Sequence, residues 1–306
     1  MDNKKICIVL PCYNEEKAIQ SVINDFRTSI PHCEVHVFDN LSTDNTAAVA
    51  KEAGAIVHCV PNKGKGYVVQ AIFRDIQADI YVLADGDGTY PANEAKGMID
   101  ALLKNNADLV IGCRKNTYHN SSSRRGHYFG NQLLTHTVNR LFGSHITDLL
   151  SGYRVMSGRF VKTIPLFSKG FEVETAMTIH AVEVGAKILD YPIEYLPRTE
   201  GTESKLNTWS DGRKILVTIL TLYKDYEPKV VYGIAALMFF SLSLTIGVPV
   251  ILEYFQTGLV PRFPSAILAT GLMIISFFTA FTGVTLSSIS KARQEMKKLA
   301  FLAFKN

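Results

Sequence analysis

The chain has 306 residues, enough for one large domain with an appendage or for two domains. Its net charge of +4 is unevenly placed, because basic and acidic residues balance up to Lys229 and the whole excess lies after it. A neutral main body argues against a general nucleic-acid-binding protein. The five cysteines lack the paired spacing of metal sites, and an odd number is typical of a reducing compartment.

The first part of the chain alternates short apolar runs with helix-like segments. Residues 6–10, 34–38, 55–60, 81–84 and 109–112 are the apolar runs, and we predict a strand for each. Ser42 or Thr43 is suited to cap the helix that ends near residue 53. Strands that alternate with helices at this short spacing predict an α/β fold with a doubly wound, mostly parallel sheet.

Two carboxylates separated by one glycine, Asp85 and Asp87, follow the fourth apolar run. Asp is a poor strand residue, so we expect the strand to end at Ala84 and both carboxylates to lie at its carboxyl end, where open α/β sheets bind ligands. Carboxylates this close repel each other unless a cation lies beside them, and hard divalent ions prefer oxygen ligands. A polar turn explains these residues equally well when the segment is considered alone.

Further carboxylates, Glu15 and Asp39, follow the first two predicted strands. The first strand lacks the glycine-rich turn of dinucleotide-binding folds, because residues 11–16 contain no glycine. Gly64-Lys65 is followed by Gly66 and not by Ser or Thr, so a P-loop is also missing. These absences favour a phosphate bridged by a metal ion over one bound at a helix N-terminus.

The end of the chain has a different composition. Residues 230–252 and 263–290 carry no charge and are long enough to span a bilayer, so we predict a transmembrane hairpin. Basic residues flank its outer ends, which by the positive-inside bias predicts that both termini are cytoplasmic. Residues 208–226 and 291–304 mix apolar and basic side chains, as helices on a membrane surface do.

Four motifs together resemble those of family 2 inverting glycosyltransferases. They are Pro11-Cys12-Tyr13-Asn14-Glu15-Glu16, Asp39-Asn40-Leu41-Ser42-Thr43-Asp44, Asn62-Lys63-Gly64-Lys65-Gly66 and Asp85-Gly86-Asp87. Within that family, the chain is most similar to the polyprenyl-phosphate glycosyltransferases, a group that includes dolichol-phosphate mannose synthase and the bactoprenol glucosyltransferases. The resemblance covers the chain from residue 6 to the hairpin. It implies a GT-A type fold, in which an Asp-x-Asp pair holds a divalent metal, Mg²⁺ or Mn²⁺, on a nucleotide-sugar diphosphate.

The resemblance also predicts the domain organisation. The cytoplasmic GT-A catalytic domain is expected over residues 1–207 and an amphipathic surface helix over residues 208–229. The hairpin is expected over residues 230–290, with spans at 230–252 and 265–290, and a basic tail helix over residues 291–306. The protein is thus expected to be an integral membrane protein, most simply of a bacterial cell membrane, that binds no nucleic acid and could form a homo-oligomer.

The resemblance assigns roles to individual residues on the donor side. Asp85 and Asp87 are expected to hold the metal, while Arg198 and Lys205 are expected beside the diphosphate. Thr89 departs from the pattern, since relatives often carry Gln or another polar ligand at that position. The nucleoside is expected to be held by Pro11, Tyr13, Glu15 and Asp39, with Asp39 accepting a hydrogen bond from the base. Lys63 is expected to bind the donor as well.

The acceptor side follows from the second half of the chain. The resemblance implies that Arg114 binds the lipid phosphate together with Arg124 or Arg125. Arginine suits a phosphate because its planar fork binds two oxygens, and Ser123 at the start of a helix adds donors. Thr147-Asp148-Leu149-Leu150-Ser151-Gly152-Tyr153-Arg154 resembles a family segment that implies Asp148 near the acceptor and a structural Arg154. One of Glu172 and Glu174 is expected to face the site. Four residues are therefore expected to act in catalysis: Asp87, Asp148, Arg114 and Lys205.

The function implied is inverting transfer of a sugar from a nucleotide-sugar, with UDP preferred, to a polyprenyl phosphate at the cytoplasmic membrane face. The product would be a lipid-linked sugar donor for glycan assembly. A GDP-mannose-using dolichol-phosphate mannose synthase is the alternative within the group, and a non-catalytic membrane scaffold is the alternative of another class. A processive polysaccharide synthase is disfavoured, because Trp209 is preceded by Leu206-Asn207-Thr208 and the motif Gln-x-x-Arg-Trp is absent.

Overall fold

The computed structural model describes residues 4–114, 122–165, 168–198 and 208–304, and side chains from 122–128 and 208–211 lie outside that description. By internal contacts the chain divides into two compact units. The first is formed by Met1–Ile219 with Lys297–Asn306, and the second by Leu220–Met296.

The first unit is built on a sheet in which seven strands are described. They are β1 (Ile6–Cys12), β2 (Glu34–Asp39), β3 (Ile56–Cys59), β4 (Ile80–Leu83), β5 (Leu109–Arg114), β6 (Arg154–Ser157) and β7 (Ile188–Ile193). Their order is β3-β2-β1-β4-β6-β5-β7, and β6 is antiparallel to both of its neighbours while every other adjacent pair is parallel. The predicted α/β class with a mostly parallel sheet is confirmed.

Ten helices are described, and those of the first unit connect and cover the strands. They are α1 (Ile19–Ser29), α2 (Thr46–Glu52), α3 (Lys65–Asp75), α4 (Glu94–Lys104), α5 (Ser122–Phe142), α6 (Gly158–Thr163), α7 (Val173–Val184), α8 (Thr208–Tyr226), α9 (Pro228–Thr257) and α10 (Phe263–Ala303).

The start of α2 corrects one sequence-based prediction. Neither Ser42 nor Thr43 caps this helix, because its N-cap is Asn45, which makes no side-chain cap bond. Asp44 accepts hydrogen bonds from the backbone N–H of Thr46 at 3.0 Å and from the Thr46 hydroxyl at 2.5 Å. The hydroxyl of Ser42 instead binds the loop after β1, where it accepts a hydrogen bond from the backbone N–H of Asn14 at 2.9 Å.

The hydrophobic core explains why the sequences of the central strands are continuous apolar runs. β1 and β4 lie between other strands and are covered by helices, so side chains on both of their faces are buried. One side of β1 presents Ile8 and Leu10 to a core that also contains Ile19, Ile23 and Phe26 from α1.

The second unit contains two helices that are long and apolar enough to cross a membrane. Their most apolar windows have mean hydropathies of 2.2 for α9 and 2.0 for α10. The two helices are joined by two hydrogen bonds. The hydroxyl of Ser243 on α9 donates to the carbonyl of Ala269 on α10 at 2.7 Å, and the hydroxyl of Ser276 on α10 donates to the carbonyl of Ala236 on α9 at 2.8 Å. These bonds satisfy hydroxyls inside an apolar pair, and α9 and α10 form a candidate membrane hairpin.

Candidate active site

The acidic residues singled out by the sequence converge at one edge of the sheet. Asp39 is the last residue of β2 and pairs in register with Cys12, the last residue of β1. β4 lies on the other side of β1 and ends at Leu83, two residues before Asp85. Because these three strands are parallel, their carboxyl ends bring Glu15, Asp39 and the Asp85/Asp87 pair to the same edge.

Asp85 is paired with a buried lysine that the sequence did not single out. The ammonium of Lys65, the first residue of α3, lies 2.6 Å from Asp85 Oδ1 and 2.6 Å from Glu174 Oε1. Burial disfavours the charged ammonium, but the two carboxylates outweigh burial and raise the pKa of Lys65 above its ordinary value. Lys65 is therefore a permanent cation beneath Asp85.

Glu174 is the glutamate that faces the site. Its side chain is buried in α7, whereas Glu172 accepts hydrogen bonds from the backbone N–H groups of Lys169 and Gly170 at 2.9 and 3.0 Å. The alternative that the sequence left open between these two residues is resolved by their position in the helix. Glu172 lies at its N-cap, while Glu174 is in its first turn and points toward Lys65.

Asp87 is buried and has both oxygens engaged. Its Oδ1 accepts from the hydroxyl of Thr89 at 2.6 Å and from the backbone N–H of Thr89 at 3.1 Å. Its Oδ2 lies 2.7 Å from a guanidinium nitrogen of Arg198, which follows β7. Thr89, the residue that departs from the family pattern, therefore orients the carboxylate of Asp87.

Two glycines allow the backbone to approach these carboxylates closely. A Cβ atom at Gly86 would lie 2.4 Å from the Sγ of Cys12, and one at Gly152 would lie 2.9 Å from Asp85 Oδ2. Both distances are too short for non-bonded atoms, so any side chain would displace Cys12 or Asp85. The Asp-x-Asp segment therefore requires glycine at its centre for packing against the end of β1.

Asp39 is held with one oxygen facing inward. Its Oδ2 accepts from the backbone N–H of Ser42 at 3.2 Å, and Oδ1 is buried with no hydrogen-bond partner among the described residues. A buried carboxylate oxygen without a donor is unfavourable, so it marks a position where a bound ligand can supply one.

The loop after β3 is attached to this edge by Asn40. The Asn40 amide accepts from the backbone N–H of Gly64 at 2.7 Å and donates to the carbonyl of Asn62 at 2.7 Å. Lys63 points outward from that loop, with its ammonium 2.8 Å from the Tyr13 hydroxyl and 4.4 Å from the centre of the Tyr13 ring. The exposed Lys63 therefore contacts the half-buried Tyr13 and links the loop after β3 to the segment after β1.

The two other residues expected at the nucleoside lie at the end of β1 and just after it. Pro11 is part of β1 and pairs in register with Phe38. Glu15 is buried, and its backbone N–H donates to the hydroxyl of Thr46 at 2.8 Å.

A second carboxylate–cation pair lies at the end of β5. Arg114 donates from Nε to Asp148 Oδ2 at 2.7 Å and from Nη2 to Oδ1 at 2.8 Å, and Asn131 donates to Oδ1 at 2.8 Å. Burial acts to raise the pKa of Asp148, but the charge and hydrogen bonds of Arg114 outweigh burial and lower it. The bidentate face of Arg114, expected to bind a phosphate, is thus directed at Asp148.

The remaining sequence-predicted residues are only partly within the described structure. The backbone of Ser123, Arg124 and Arg125 belongs to the first turn of α5, but their side chains lie outside the described residues, and so does Lys205. Arg154 is fully buried and donates to the carbonyls of Leu149 and Ser151 and to the hydroxyl of Thr178, as expected of a structural residue.

The donor set of Asp85 and Asp87 fits a hard divalent ion. Mg²⁺ is usually bound by one or two carboxylates, and substrate phosphates and waters complete its coordination. Asp85 Oδ2 takes no described hydrogen bond, and the side chain of Asp85 is 30% exposed, so an ion can approach it from solvent. Two carboxylates at the edge that also carries Asp39 match an ion completed by a nucleotide diphosphate.

Comparison with known proteins places this chain among sugar-transferring enzymes. The sequence model described as "Glycosyl transferase family 2" matches residues 7–164. Glycosyltransferase AglJ of Haloferax volcanii is 30% identical over 295 residues, which cover 96% of this chain and 97% of that protein. The undecaprenyl-phosphate mannosyltransferase of Micrococcus luteus is 26% identical over 228 residues, which cover 69% of this chain and 91% of that protein.

A solved structure shows the same fold. Glucosyl-3-phosphoglycerate synthase from Mycobacterium tuberculosis, in complex with Mn²⁺, UDP-glucose and phosphoglyceric acid, matches with a TM-score of 0.59 at 22% identity. The match covers 72% of this chain and 80% of that one. The sheet described above is therefore of the GT-A type, as the sequence motifs predicted.

Proposed function

The chain belongs to glycosyltransferase family 2, as its motifs predicted, and from this premise we propose that it transfers a sugar from a nucleotide-sugar to a polyprenyl phosphate. The observation that carries the proposal is the Asp85/Asp87 pair, whose carboxylates face separate cations at the ligand-binding edge of the sheet. The same chain carries two helices able to hold it in a bilayer.

The comparisons support the substrate classes. The relative from Micrococcus luteus is named for undecaprenyl phosphate, and the solved structure from Mycobacterium tuberculosis holds UDP-glucose with Mn²⁺. We propose a UDP-sugar as donor. GDP-mannose is the alternative, and the name of the Micrococcus luteus relative supports only the mannose part of it. A non-catalytic scaffold is disfavoured, because it would not need a buried lysine at Asp85 or a guanidinium at Asp87.

The donor would lie along the carboxyl ends of β1, β2 and β4. We propose that Asp39, with its inward-facing oxygen, accepts a hydrogen bond from the base, and that Pro11, Tyr13, Glu15 and Lys63 border the nucleoside. A divalent ion held by Asp85 and Asp87 would supply positive charge to the leaving diphosphate.

The protein residues prepare that charge arrangement in advance. Thr89 fixes the orientation of the Asp87 carboxylate, and Lys65 places a positive charge 2.6 Å from Asp85 Oδ1. Arg198 lies beside Asp87, so its positive charge is available where the diphosphate would develop negative charge, and we propose the same role for Lys205. Preorganised charges of this kind are usually the largest contribution to catalysis.

The acceptor needs orientation more than a strong base. A phosphate monoester has a second pKa near 6, so it is largely ionised at neutral pH and can attack the anomeric carbon directly. We propose that Arg124 or Arg125, with Ser123, binds the acceptor phosphate beside Arg114. The Arg114–Asp148 pair would then fix the shape of the acceptor end without removing a proton.

The candidate hairpin suits a lipid acceptor. Each CH₂ group moved from hydrocarbon to water costs about 0.8 kcal/mol, so a polyprenyl tail stays in the bilayer and only its phosphate is accessible. We propose that α9 and α10 keep the enzyme at that surface, with α8 and the basic end of α10 on its cytoplasmic side.

The proposal is tested with the full chain in lipid nanodiscs and a panel of UDP- and GDP-sugars. We expect release of nucleoside diphosphate only when undecaprenyl phosphate and Mg²⁺ or Mn²⁺ are both present, together with a radiolabelled sugar in the lipid fraction. Chelation of the metal should stop both signals. Substantial transfer to a soluble sugar hydroxyl, with none to lipid phosphate, would contradict the proposal.

A further inference from the structure

A second group of ligand-type side chains lies at the opposite end of the sheet. Cys7 on β1 pairs in register with Glu34 on β2, and His36 lies two residues further along β2, so all three side chains share one face. The Cys7 Sγ lies 3.7 Å from Glu34 Oε2, and His36 Nε2 lies 3.2 Å from the same oxygen. One ligand atom from each of the three residues lies within 4.8 Å of the other two.

These separations approach those of a tetrahedral zinc site. Zinc–ligand bonds of about 2.0–2.3 Å place neighbouring ligand atoms about 3.3–3.6 Å apart. A thiolate, an imidazole and a carboxylate are all recognised zinc ligands, and the thiolate disfavours Mg²⁺ and Ca²⁺. We propose that Cys7, Glu34 and His36 bind one Zn²⁺ ion on this face of the sheet. The proposal does not depend on the sugar-transfer function.

His58 on β3 completes the arrangement behind His36. Its Nε2 lies 3.1 Å from His36 Nδ1, and its ring stacks on Phe38 with centroids 4.4 Å apart. Burial is the main influence on His36 and lowers its pKa, so the imidazole is neutral at pH 7. When His36 Nε2 binds the ion, its Nδ1–H donates to His58, which is the outer hydrogen bond that metal-binding histidines require.

The zinc ion must displace one proton, from the thiol of Cys7, and one ammonium group, that of Lys5 at Glu34. Burial raises the pKa of Cys7 to about 12, so the thiol is protonated without metal, and coordination releases that proton to solvent. Lys5 forms an ion pair with Glu34 at 2.9 Å, but its side chain is 49% exposed and can turn into water. The side chain of Glu34 is 44% exposed, which leaves access for the ion and for a water as fourth ligand.

This site is separate from the Asp85/Asp87 pair. Glu34 begins β2 and Asp39 ends it, so five residues at about 3.3 Å each separate the two ends by about 16 Å. The proposed zinc site and the sugar-transfer site therefore share no residue. Metal binding at the zinc site can be measured without measuring turnover.

The test is a Co²⁺ and Zn²⁺ titration of the chelator-treated full chain in detergent. Co²⁺ bound to a thiolate has a charge-transfer band in the near ultraviolet, which Co²⁺ bound by Asp85 and Asp87 alone does not have. We expect this band to saturate at one Co²⁺ per chain and to disappear when Zn²⁺ is added. Cys7→Ser should abolish it, while Cys59→Ser, which changes an exposed cysteine on β3, should leave it intact.

Positions that are not fully buried provide a second test of the proposal. Glu34→Gln should weaken Co²⁺ binding at least about tenfold, as should His58→Gln, since loss of an outer partner typically costs about 10–100-fold in affinity. Lys5→Gln removes the competing ammonium and should make binding tighter. Absence of the band in the wild type, a band of equal strength in Cys7→Ser, or unchanged affinity in both Glu34→Gln and Lys5→Gln would overturn the proposal.

Discussion

Two carboxylate–cation arrangements lie at the same edge of the sheet and use their oxygens differently. Both oxygens of Asp148 are held by one arginine, since Arg114 donates two hydrogen bonds to it and Asn131 donates a third, and we call this arrangement closed. Asp85 and Asp87 instead face two different cations, Lys65 from α3 and Arg198 from the segment after β7, and the side chains of Asp85 and Arg198 are each 30% exposed, so we call this arrangement open.

The difference indicates which arrangement can exchange partners. Breaking a bidentate buried pair leaves two unpaired charges, so Arg114 and Asp148 are suited to hold the end of β5 to the segment before β6. The Asp87 carboxylate lies 2.7 Å from a guanidinium nitrogen of Arg198, whose side chain is 30% exposed. A metal ion and a diphosphate can take over the two halves of that contact, the ion on the carboxylate and the phosphate on the guanidinium.

The largest expected effect follows from breaking the open arrangement at Asp87. Asp87→Asn keeps the size of the side chain and removes the charge that a divalent ion needs. Metal-derived charge stabilisation is worth several kcal/mol, so turnover should fall at least about a thousandfold. Nucleoside diphosphate release in nanodiscs measures it. Asp75→Asn on the surface of α3 is the control, and more than a tenth of wild-type activity in Asp87→Asn would refute the assignment.

The next effect concerns the cation beneath Asp85. Lys65→Met leaves Asp85 and Glu174 facing each other without a counter-charge, and loss of one member of a buried ion pair costs about 3–5 kcal/mol of unfolding free energy. Denaturant unfolding of the detergent-solubilised full chain measures this loss. Adding Glu174→Gln should restore part of the stability, because it removes one of the two unpaired charges. Strictly additive effects would show that Lys65 and Glu174 are not coupled.

The strands could be predicted from sequence because their signals are local. β1 and β4 are continuous apolar runs, and the carboxylates that follow them necessarily lie at the carboxyl edge of a parallel sheet. The N-cap of α2 could not be predicted from sequence, because the hydroxyl of Ser42 accepts a hydrogen bond from a backbone N–H of the loop after β1 and does not cap the helix.

The cations of the site required the tertiary structure. The glycine-rich loop contains Lys63 and Lys65, and the sequence favoured Lys63, which the structure leaves exposed beside Tyr13. Lys65 is buried because α3 begins there and because Glu174, more than a hundred residues later in the chain, lies opposite. The antiparallel insertion of β6 between β4 and β5, which brings Gly152 beside Asp85, is equally non-local.

A smaller effect is expected from breaking the closed arrangement. Asp148→Asn keeps one acceptor oxygen for Arg114 or Asn131 but loses a charged hydrogen bond, which lowers the free energy of unfolding by about 1.5–3 kcal/mol. Turnover per folded enzyme should fall less than tenfold, because the phosphate acceptor needs no strong base. If Asp148→Asn abolished turnover as completely as Asp87→Asn while remaining folded, a base-assisted reaction on a hydroxyl would be indicated.

The pH dependence of that variant separates charge from packing. The pKa of Asp148 is lowered in the folded state, so its contribution to stability is complete above the ordinary Asp pKa of about 3.9. It is lost as the pH falls through the lower folded-state pKa. The stability difference between wild type and Asp148→Asn should therefore be constant from pH 7 to pH 5 and shrink in acid. A difference that persists unchanged at the lowest accessible pH would point to packing alone.

The smallest effect is expected at Lys63, two residues before the buried lysine. Its ammonium lies over the Tyr13 ring at an exposed position, where such a contact is worth about 0.5–1 kcal/mol, so Lys63→Met should lower the free energy of unfolding by about 1 kcal/mol at most. Because we propose that Lys63 borders the nucleoside, the KM for the nucleotide-sugar should rise about two- to fivefold, as expected for the loss of one exposed contact to the donor. The same replacement two residues later, Lys65→Met, should do the opposite and act mainly on stability. If Lys63→Met destabilised the fold as much as Lys65→Met, the burial of Lys65 and its pairing with Asp85 and Glu174 would not account for the difference between the two lysines.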